Sequence, residues 1–379
     1  MGAVRRSHAA AGLALAALLL LLLARLPPAP AAPPRPRVMP VLPVLPALPA
    51  HNRTTPPASS TTRRPTPSSS KAPEPPDTVK AVPALVAKTV PAEAPPAPAP
   101  KAPRAVLTRD VYVAGHSRPH PELCPALGAR LKLAILVTSA PSHRRARDAI
   151  RLTWGHFAAR SDVALAFVLG APPDSMRAAI DAEDALYGDI VVGRSLDSYS
   201  NLTLKTLSML EWMDSYCPRA PRLLKTDDDM FINVPKLFDF MVANGRANAT
   251  LTIWGKVVRK SLPKRTKRSK YYVPPIQFPG KVFPDFTTGP AYLMTSDVIR
   301  PLLAAAPSQP YLRLEDVFIT GVLAERLGIK RRLAPEFYNK KVAAHPCAVQ
   351  KGVAIHMVQY HEQFDLWRKL LDGKYKCAS

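Results

Sequence analysis

Three short runs in the middle of the chain, Leu131–Ser139, Val163–Leu169 and Ile190–Gly193, are apolar along almost their whole length rather than at alternate positions. This restricts the fold more than any other feature. A strand covered on one face alternates apolar and polar residues. A strand that does not alternate is covered on both faces, as in a parallel sheet held between layers of helix. The segments between the runs supply those layers. The spacing predicts a helix over Arg144–Thr153 with Ala146, Ile150 and Trp154 on one side, and a second over Ser175–Leu186. A third runs from Tyr199 to Tyr216, apolar at Leu202, Leu204, Leu207, Leu210 and Met213. Strand and helix in alternation give an α/β, doubly wound sheet, in which ligands bind beyond the carboxyl ends of the strands. The second half is more mixed. Thr252–Lys256 is a candidate strand, residues 270–285 read as loop and edge structure, and helices are expected over Ser296–Ala305 and Asp316–Leu327.

The next strand, Arg222–Thr226, runs into Asp227-Asp228-Asp229. Three acids at the carboxyl end of a core strand lie where the sheet rule puts a ligand. In extended backbone Asp227 and Asp229 point the same way and repel each other unless a cation sits between them. Oxygen ligands of this kind suit Mn²⁺ or Mg²⁺, which typically bridge to substrate phosphates. An acidic turn or a helix N-cap is the bland reading of the same triplet.

The first third of the chain obeys different rules. Arg5 and Arg6 precede an apolar run from Ala9 to Ala24, and the chain's 44 prolines crowd the stretch that follows. Basic residues before such a run predict a signal-anchor helix over residues 9–26, with residues 1–8 in the cytoplasm. A cleaved signal peptide is the rival reading, and in both cases the body is lumenal. Residues 27–115, rich in Pro, Ala, Ser and Thr, cannot bury a core and are expected as a disordered stem, leaving residues 116–379 as the catalytic domain. Sequons at Asn52, Asn201 and Asn248 agree with a lumenal body. Four cysteines in an oxidising compartment allow two disulfides, with Cys124–Cys217 and Cys347–Cys377 as the preferred pairing. The net charge of +24 raises the question of nucleic acid. A lumenal body argues against that partner. The densest basic run, Lys264–Lys270, reads as a solvated loop, or more sharply as a contact for an acidic acceptor or an anionic donor.

Five stretches, in order and at plausible spacing, resemble the β-1,3-glycosyltransferase family of β-1,3-galactosyltransferases and β-1,3-N-acetylglucosaminyltransferases. They are Arg147–Gly155, Asp197–Thr206, Lys225–Phe231, Gly289–Tyr292 and Leu314–Phe318. The resemblance covers about Leu131 to Trp367. It implies a GT-A-type fold (a Rossmann-like mixed sheet flanked by helices) in a type II Golgi membrane protein. It also implies an inverting transfer of galactose from UDP-galactose, with Mn²⁺, to the 3-hydroxyl of a glycoprotein or glycolipid glycan. N-acetylglucosamine from UDP-GlcNAc is the alternative donor sugar, and a non-catalytic lumenal glycan-binding protein the alternative class. One departure stands out: many relatives carry Tyr-Cys-Ser-Gly where this chain has Phe286-Thr287-Thr288-Gly289, and a second cysteine where it has Val322.

By the same resemblance, Asp229 is the main metal contact, with Asp227 beside it, and Asp227 and Asp228 touch sugar, ribose or bound water. His356 is the expected metal histidine, with His345 and His361 as alternatives. Asp316 is the expected base, Arg147 and Arg151 are expected near the donor, and Trp254, Tyr292 and Glu315 on the acceptor side. Read from residues alone, a His among apolar neighbours packs in a core, acids at a helix start serve its dipole, and buried aromatics fill space.

Overall fold

The computed structural model describes residues 104–372 and Cys377. The expected cytoplasmic tail, anchor helix, most of the stem and Asn52 lie outside those residues. No helix among the described residues is long and apolar enough to cross a membrane.

An eight-stranded mixed sheet forms the frame. The strands are β1 (His116–Arg118), β2 (Leu133–Thr138), β3 (Val163–Ala171), β4 (Ile190–Leu196), β5 (Arg222–Asp227), β7 (Thr252–Val258), β8 (Phe286–Thr295) and β9 (Lys330–Leu333). Their spatial order is β1-β4-β3-β2-β5-β8-β7-β9. The run β4-β3-β2-β5 is parallel, and β8 then pairs antiparallel with both β5 and β7. A small second sheet joins β10 (Phe337–Tyr338) to β11 (Ala354–Ile355) and β11 to β6 (Phe231–Ile232), which follows the acids directly.

The uniformly apolar strands are buried on both faces because each residue parity meets a different layer. Ala134 and Leu136 pack with Leu207 and Leu210 of the helix Leu202–Tyr216. Leu133, Ile135 and Val137 pack with Ile150 and Trp154 from the helix Arg144–Arg151 and the turn after it, and with Ile180. The period-two geometry of a strand makes this division. Both disulfides pair as expected, Cys124 with Cys217 and Cys347 with Cys377. Gly128, at φ +81°, lies beside the first pair, where an added Cβ would meet Cys124 Sγ at 2.9 Å.

Three features depart from the sequence expectations. The longest central strand, β8, begins just past residues 270–285, expected as loop and edge structure, and takes in the Gly289–Tyr292 motif, for which no strand is expected. Gly289-Pro290 interrupts its pattern, and the ladder with β7 shifts register between Gly255 and Val257 to pass that point. The helix after Asp316 is a π-helix over Val317–Leu323 that continues as α-helix over Ala324–Arg326. The last part of the expected stem, from Arg104 to Gly115, belongs instead to the folded body. Leu107 bridges to Pro310, Thr108 is fully buried and bonded to Gln309, and Tyr112 donates its hydroxyl to Glu211 at 2.5 Å. The half-buried Leu107 and Tyr112, the buried Thr108 and these bonds tie the segment to the body.

A chain cut to begin at His116 should therefore be less stable than one beginning at Arg104. Losing these bonds should cost about 2 kcal/mol, or about 4–8 °C in Tm for a domain of this size. Equal thermal unfolding of the two chains would show that the segment adds nothing.

Candidate active site

The strand β5 ends at Asp227, and Asp228 and Asp229 form the turn that leads into β6. The three carboxylates consequently diverge rather than alternate. Asp228 points back to the amino end of the helix Arg144–Arg151, accepting from Ser139 Oγ at 2.6 Å and His143 Nδ1 at 2.9 Å. That hydrogen bond holds His143 above its ordinary pKa. Asp229 points the other way, half-exposed, with its carboxylate 3.3 Å from His356 Nε2. The residue on Asp227's side of the strand is Lys225. Its buried ammonium donates to Asp227 at 2.6 Å and to the Gly289 carbonyl at 2.7 Å, and lies 3.8 Å from Glu315. Burial works against the charge on Lys225, but Asp227 and Glu315 outweigh it and hold its pKa above the usual value.

The turn is fixed by its own backbone. The Met230 carbonyl accepts from Trp154 Nε1 and Gln363 Nε2, and the Asp229 carbonyl accepts from Val358 N–H. His356 follows β11, which pairs with β6, so the small sheet delivers the histidine to the acid. Next to it Met357 sits at φ +63°, a left-handed conformation that a long side chain adopts at a cost.

Lys225, Asp227, Asp229, Glu315, Asp316 and His356 share one cleft of about 650 Å³. Asp316 caps the π-helix. One of its carboxylate oxygens accepts from Val317 N–H at 2.9 Å and the other from Gly289 N–H at 3.1 Å. The register shift in β8 frees Gly289 for this contact and for its bond to Lys225. Burial pushes the Asp316 carboxyl above its ordinary pKa against the pull of those two N–H groups. Glu315, deeper in, accepts from the Tyr292 hydroxyl at 2.5 Å, and burial pushes it up to about 7. Of the three candidate histidines, His356 lines the cleft. His345 caps the helix Pro346–Lys351, and His361 stands before the helix Glu362–Leu371.

Several expected roles need correction. Arg147 and Arg151 do not face the cleft. Arg147 is fully buried, and its guanidinium donates to Glu183 at 2.8 and 2.7 Å, to Ser139 Oγ, and to the carbonyls of Ala140 and Pro141. Five donors are thereby used, and none is left for a ligand. Arg151 grips Asp189 at 2.8 Å through two nitrogens, and Asp148 and Glu183 with the rest. Trp254 packs edge-on against Phe240 inside the core, and Tyr292 is fully buried, so neither offers a face to a sugar. Asp228 is held by Ser139 and His143 as described. Asn248 is exposed, whereas Asn201 gives its amide to Leu196 O and its sequon partner Thr203 is buried. Sequence reasoning missed Lys225, Ser139 and His143. A lysine inside a run otherwise read as a core strand was the one available signal, since an unpaired ammonium is not buried there.

Asp229 and His356 are a carboxylate and an imidazole converging on open space, and among the described residues no group of three or more such side chains could hold a metal. Two protein ligands with the remaining positions open fit a cation that shares its shell with substrate phosphates and water.

The sequence profile of the galactosyltransferase family matches residues 145–335. The chain is 34% identical over 262 residues to a β-1,3-galactosyltransferase 4 of Rattus norvegicus, covering 62% of this chain and 69% of that one. It is 33% identical to a β-1,3-galactosyltransferase 5 of Homo sapiens, covering 64% and 79%. It is also 32% identical to a lactosylceramide 1,3-N-acetyl-β-D-glucosaminyltransferase of Homo sapiens, covering 69% and 71%.

The Arg147–Glu183 pair yields a stability test. Arg147→Met leaves the buried Glu183 with Arg151 as its remaining cation and should cost about 3 kcal/mol in denaturant unfolding, part of which Glu183→Met should restore in the double variant, where Arg151 keeps Asp189 and Asp148. The double variant should still lose activity, because Ser139 then holds Asp228 without the guanidinium behind it. Full activity in the double variant would show that Arg147 serves the fold alone.

Proposed function

The chain belongs to the galactosyltransferase family that holds the β-1,3-galactosyltransferases and β-1,3-N-acetylglucosaminyltransferases, and it is a glycosyltransferase; we propose that it moves galactose from UDP-galactose to the 3-hydroxyl of an acceptor sugar on a glycoprotein or glycolipid, with inversion. The observation that carries this reading is the cleft itself, in which the Asp229–His356 pair and the Asp316 carboxylate line one space.

We assign Asp229 and His356 to a Mn²⁺ ion, with Asp227 beside them, and the diphosphate of the donor to the same place. A bound cation there would neutralise the charge that develops on UDP as the glycosidic bond breaks. Lys225 orients Asp227 and offsets part of the burial that raises its carboxyl above the ordinary value. Asp228, held by Ser139 and His143, shapes the donor side of the turn. Asp316 takes the proton from the acceptor 3-hydroxyl as that oxygen attacks the anomeric carbon on the face opposite UDP. Each Asp316 oxygen accepts one N–H and keeps a second lone pair for that proton. The fold agrees with a GT-A-type arrangement: parallel strands end at the acids, and antiparallel β8 supplies the acceptor half. Two disulfides suit an oxidising compartment, and we place the protein in the Golgi membrane, with the apolar run near its N-terminus as the type II anchor.

Relatives named for either donor match at nearly equal identity, so UDP release is to be measured with UDP-galactose and UDP-GlcNAc over simple acceptors. Acceptor-dependent release with UDP-galactose supports the proposal. Release with UDP-GlcNAc alone reassigns the donor, and none with either sugar overturns it. Turnover should require Mn²⁺, and Asp229→Ala should abolish it while Tm is kept; full turnover in EDTA would remove the cation from the reaction.

Asp316→Asn should lower kcat by roughly 10² to 10⁴, the usual contribution of a general base, with donor Kd unchanged. The base works ionised and its pKa is raised, so the wild-type rate should fall with acid through a pKa above the ordinary 3.8. A pH–rate profile flat down to that value would place the base elsewhere.

A further inference from the structure

Resting on the reading above, we propose that the acceptor carries an anionic group, a uronate carboxylate or a sulfate ester, beside the sugar that is extended, and that Lys264, Lys270 and Arg313 at the rim of the cleft recognise it.

The rim and the floor of the cleft differ in charge. Glu315 lies at the floor, where Lys225 already pairs with Asp227. Lys264, Lys270 and Arg313 line the same space, and among the described residues none of them forms an ion pair with a carboxylate. The nearby Asp285 is engaged by Arg259 at 3.4 Å. Three cations without acidic partners on one wall leave an anion site rather than a neutralised surface.

The wall is also built in place, unlike a solvated basic loop. Arg265, in the middle of the basic run, folds back over its own loop and donates to the carbonyls of Val273, Phe278 and Gly280 at 2.8, 2.8 and 2.9 Å. Arg313 donates to the Lys270 carbonyl at 2.9 Å, which ties the end of the run to the segment leading into Glu315 and Asp316. Through Arg313 the end of the run therefore stands beside the segment that carries the base, where the acceptor approaches in this reading. Tyr199 and Tyr271 line the same mouth and are 57% and 46% exposed. Such rings can stack on a pyranose while the cations take its charged substituent. The Lys270 ammonium lies 4.9 Å from the Tyr271 ring centre, so ring and charge act as one unit.

The test compares one neutral oligosaccharide acceptor with the same oligosaccharide carrying a sulfate ester and with its uronate form. The full chain is used, with direct binding by calorimetry in the absence of donor and KM in its presence. Both anionic forms, or one of them, should bind more tightly than the neutral form, with a gap that closes as salt rises. Which form gains identifies the group as sulfate or carboxylate. Lys264→Gln with Lys270→Gln should remove the gap, raising Kd and KM for the anionic acceptor roughly tenfold, as expected for lost charge-assisted bonds at a half-open site. Donor KM should be unmoved. Lys267→Gln with Arg268→Gln removes two charges of the same run that do not line the cleft, and should leave most of the gap. Equal binding of neutral and anionic forms overturns the subsite and leaves the transferase reading intact. Anionic preference in calorimetry without any sugar transfer overturns the transferase reading and keeps the subsite. A rise in donor KM in the Lys264→Gln/Lys270→Gln variant, with acceptor binding unchanged, would make the wall a diphosphate contact and also overturn the subsite. An equal loss in the Lys267→Gln/Arg268→Gln variant would reduce the effect to general charge.

Discussion

The ammonium of Lys225 is the interaction on which the site depends. It is buried at the meeting of three segments that are remote in sequence: the end of β5, the register shift in β8 and the stretch that carries Glu315. A lone ammonium in that place would be prohibitive, and so would Asp227 and Glu315 without it. Each group makes the others tolerable. Because the lysine holds both Asp227 and the Gly289 carbonyl, the strand that ends in acids and the strand that presents Gly289 to Asp316 cannot move independently. The two sides of the cleft are thereby held in one geometry.

A second buried charge system supports the other side of the turn. Ser139, just past the end of β2, accepts from the Arg147 guanidinium on its hydroxyl oxygen and from the Lys205 ammonium on its carbonyl, and donates its own hydroxyl to Asp228. Glu183 neutralises Arg147, and Asp197 neutralises Lys205 at 2.8 Å. Arg147 and Arg151 of the helix Arg144–Arg151 therefore belong to the frame. Arg147 acts on the site at one remove, by fixing Ser139 and through it Asp228. A motif match identified them as important but not how, since the same residue types at the same spacing can face a ligand or a carboxylate of the next helix.

Much of the frame was legible in the sequence. The uniformly apolar strands, the helices between them and the position of the acids follow from pattern, whereas the cysteine pairing was one preference among three connectivities and the histidine that meets Asp229 came from the family resemblance. What was not legible shares one cause. The β8 strand is interrupted at Gly289-Pro290, part of a stretch that carries the family resemblance but no strand pattern, and in the structure this is the irregularity that turns Gly289 toward Lys225 and Asp316. Trp254 and Tyr292 look like sugar platforms and are core, while Tyr199 and Tyr271, which no motif singled out together, stand exposed at the mouth.

By itself the sequence determined which residues could be buried, and so the alternation of layers and the strand end at which charge collects, because period and apolarity are local properties of the chain. The tertiary structure alone decided which charges meet. Lys225 finds Asp227 and Glu315, Arg147 finds Glu183, Asp229 finds His356, and the cations of the Lys264–Lys270 wall find no carboxylate. Electrostatic pairing depends on distance through space and on burial, and neither is written in the spacing of residues along the chain.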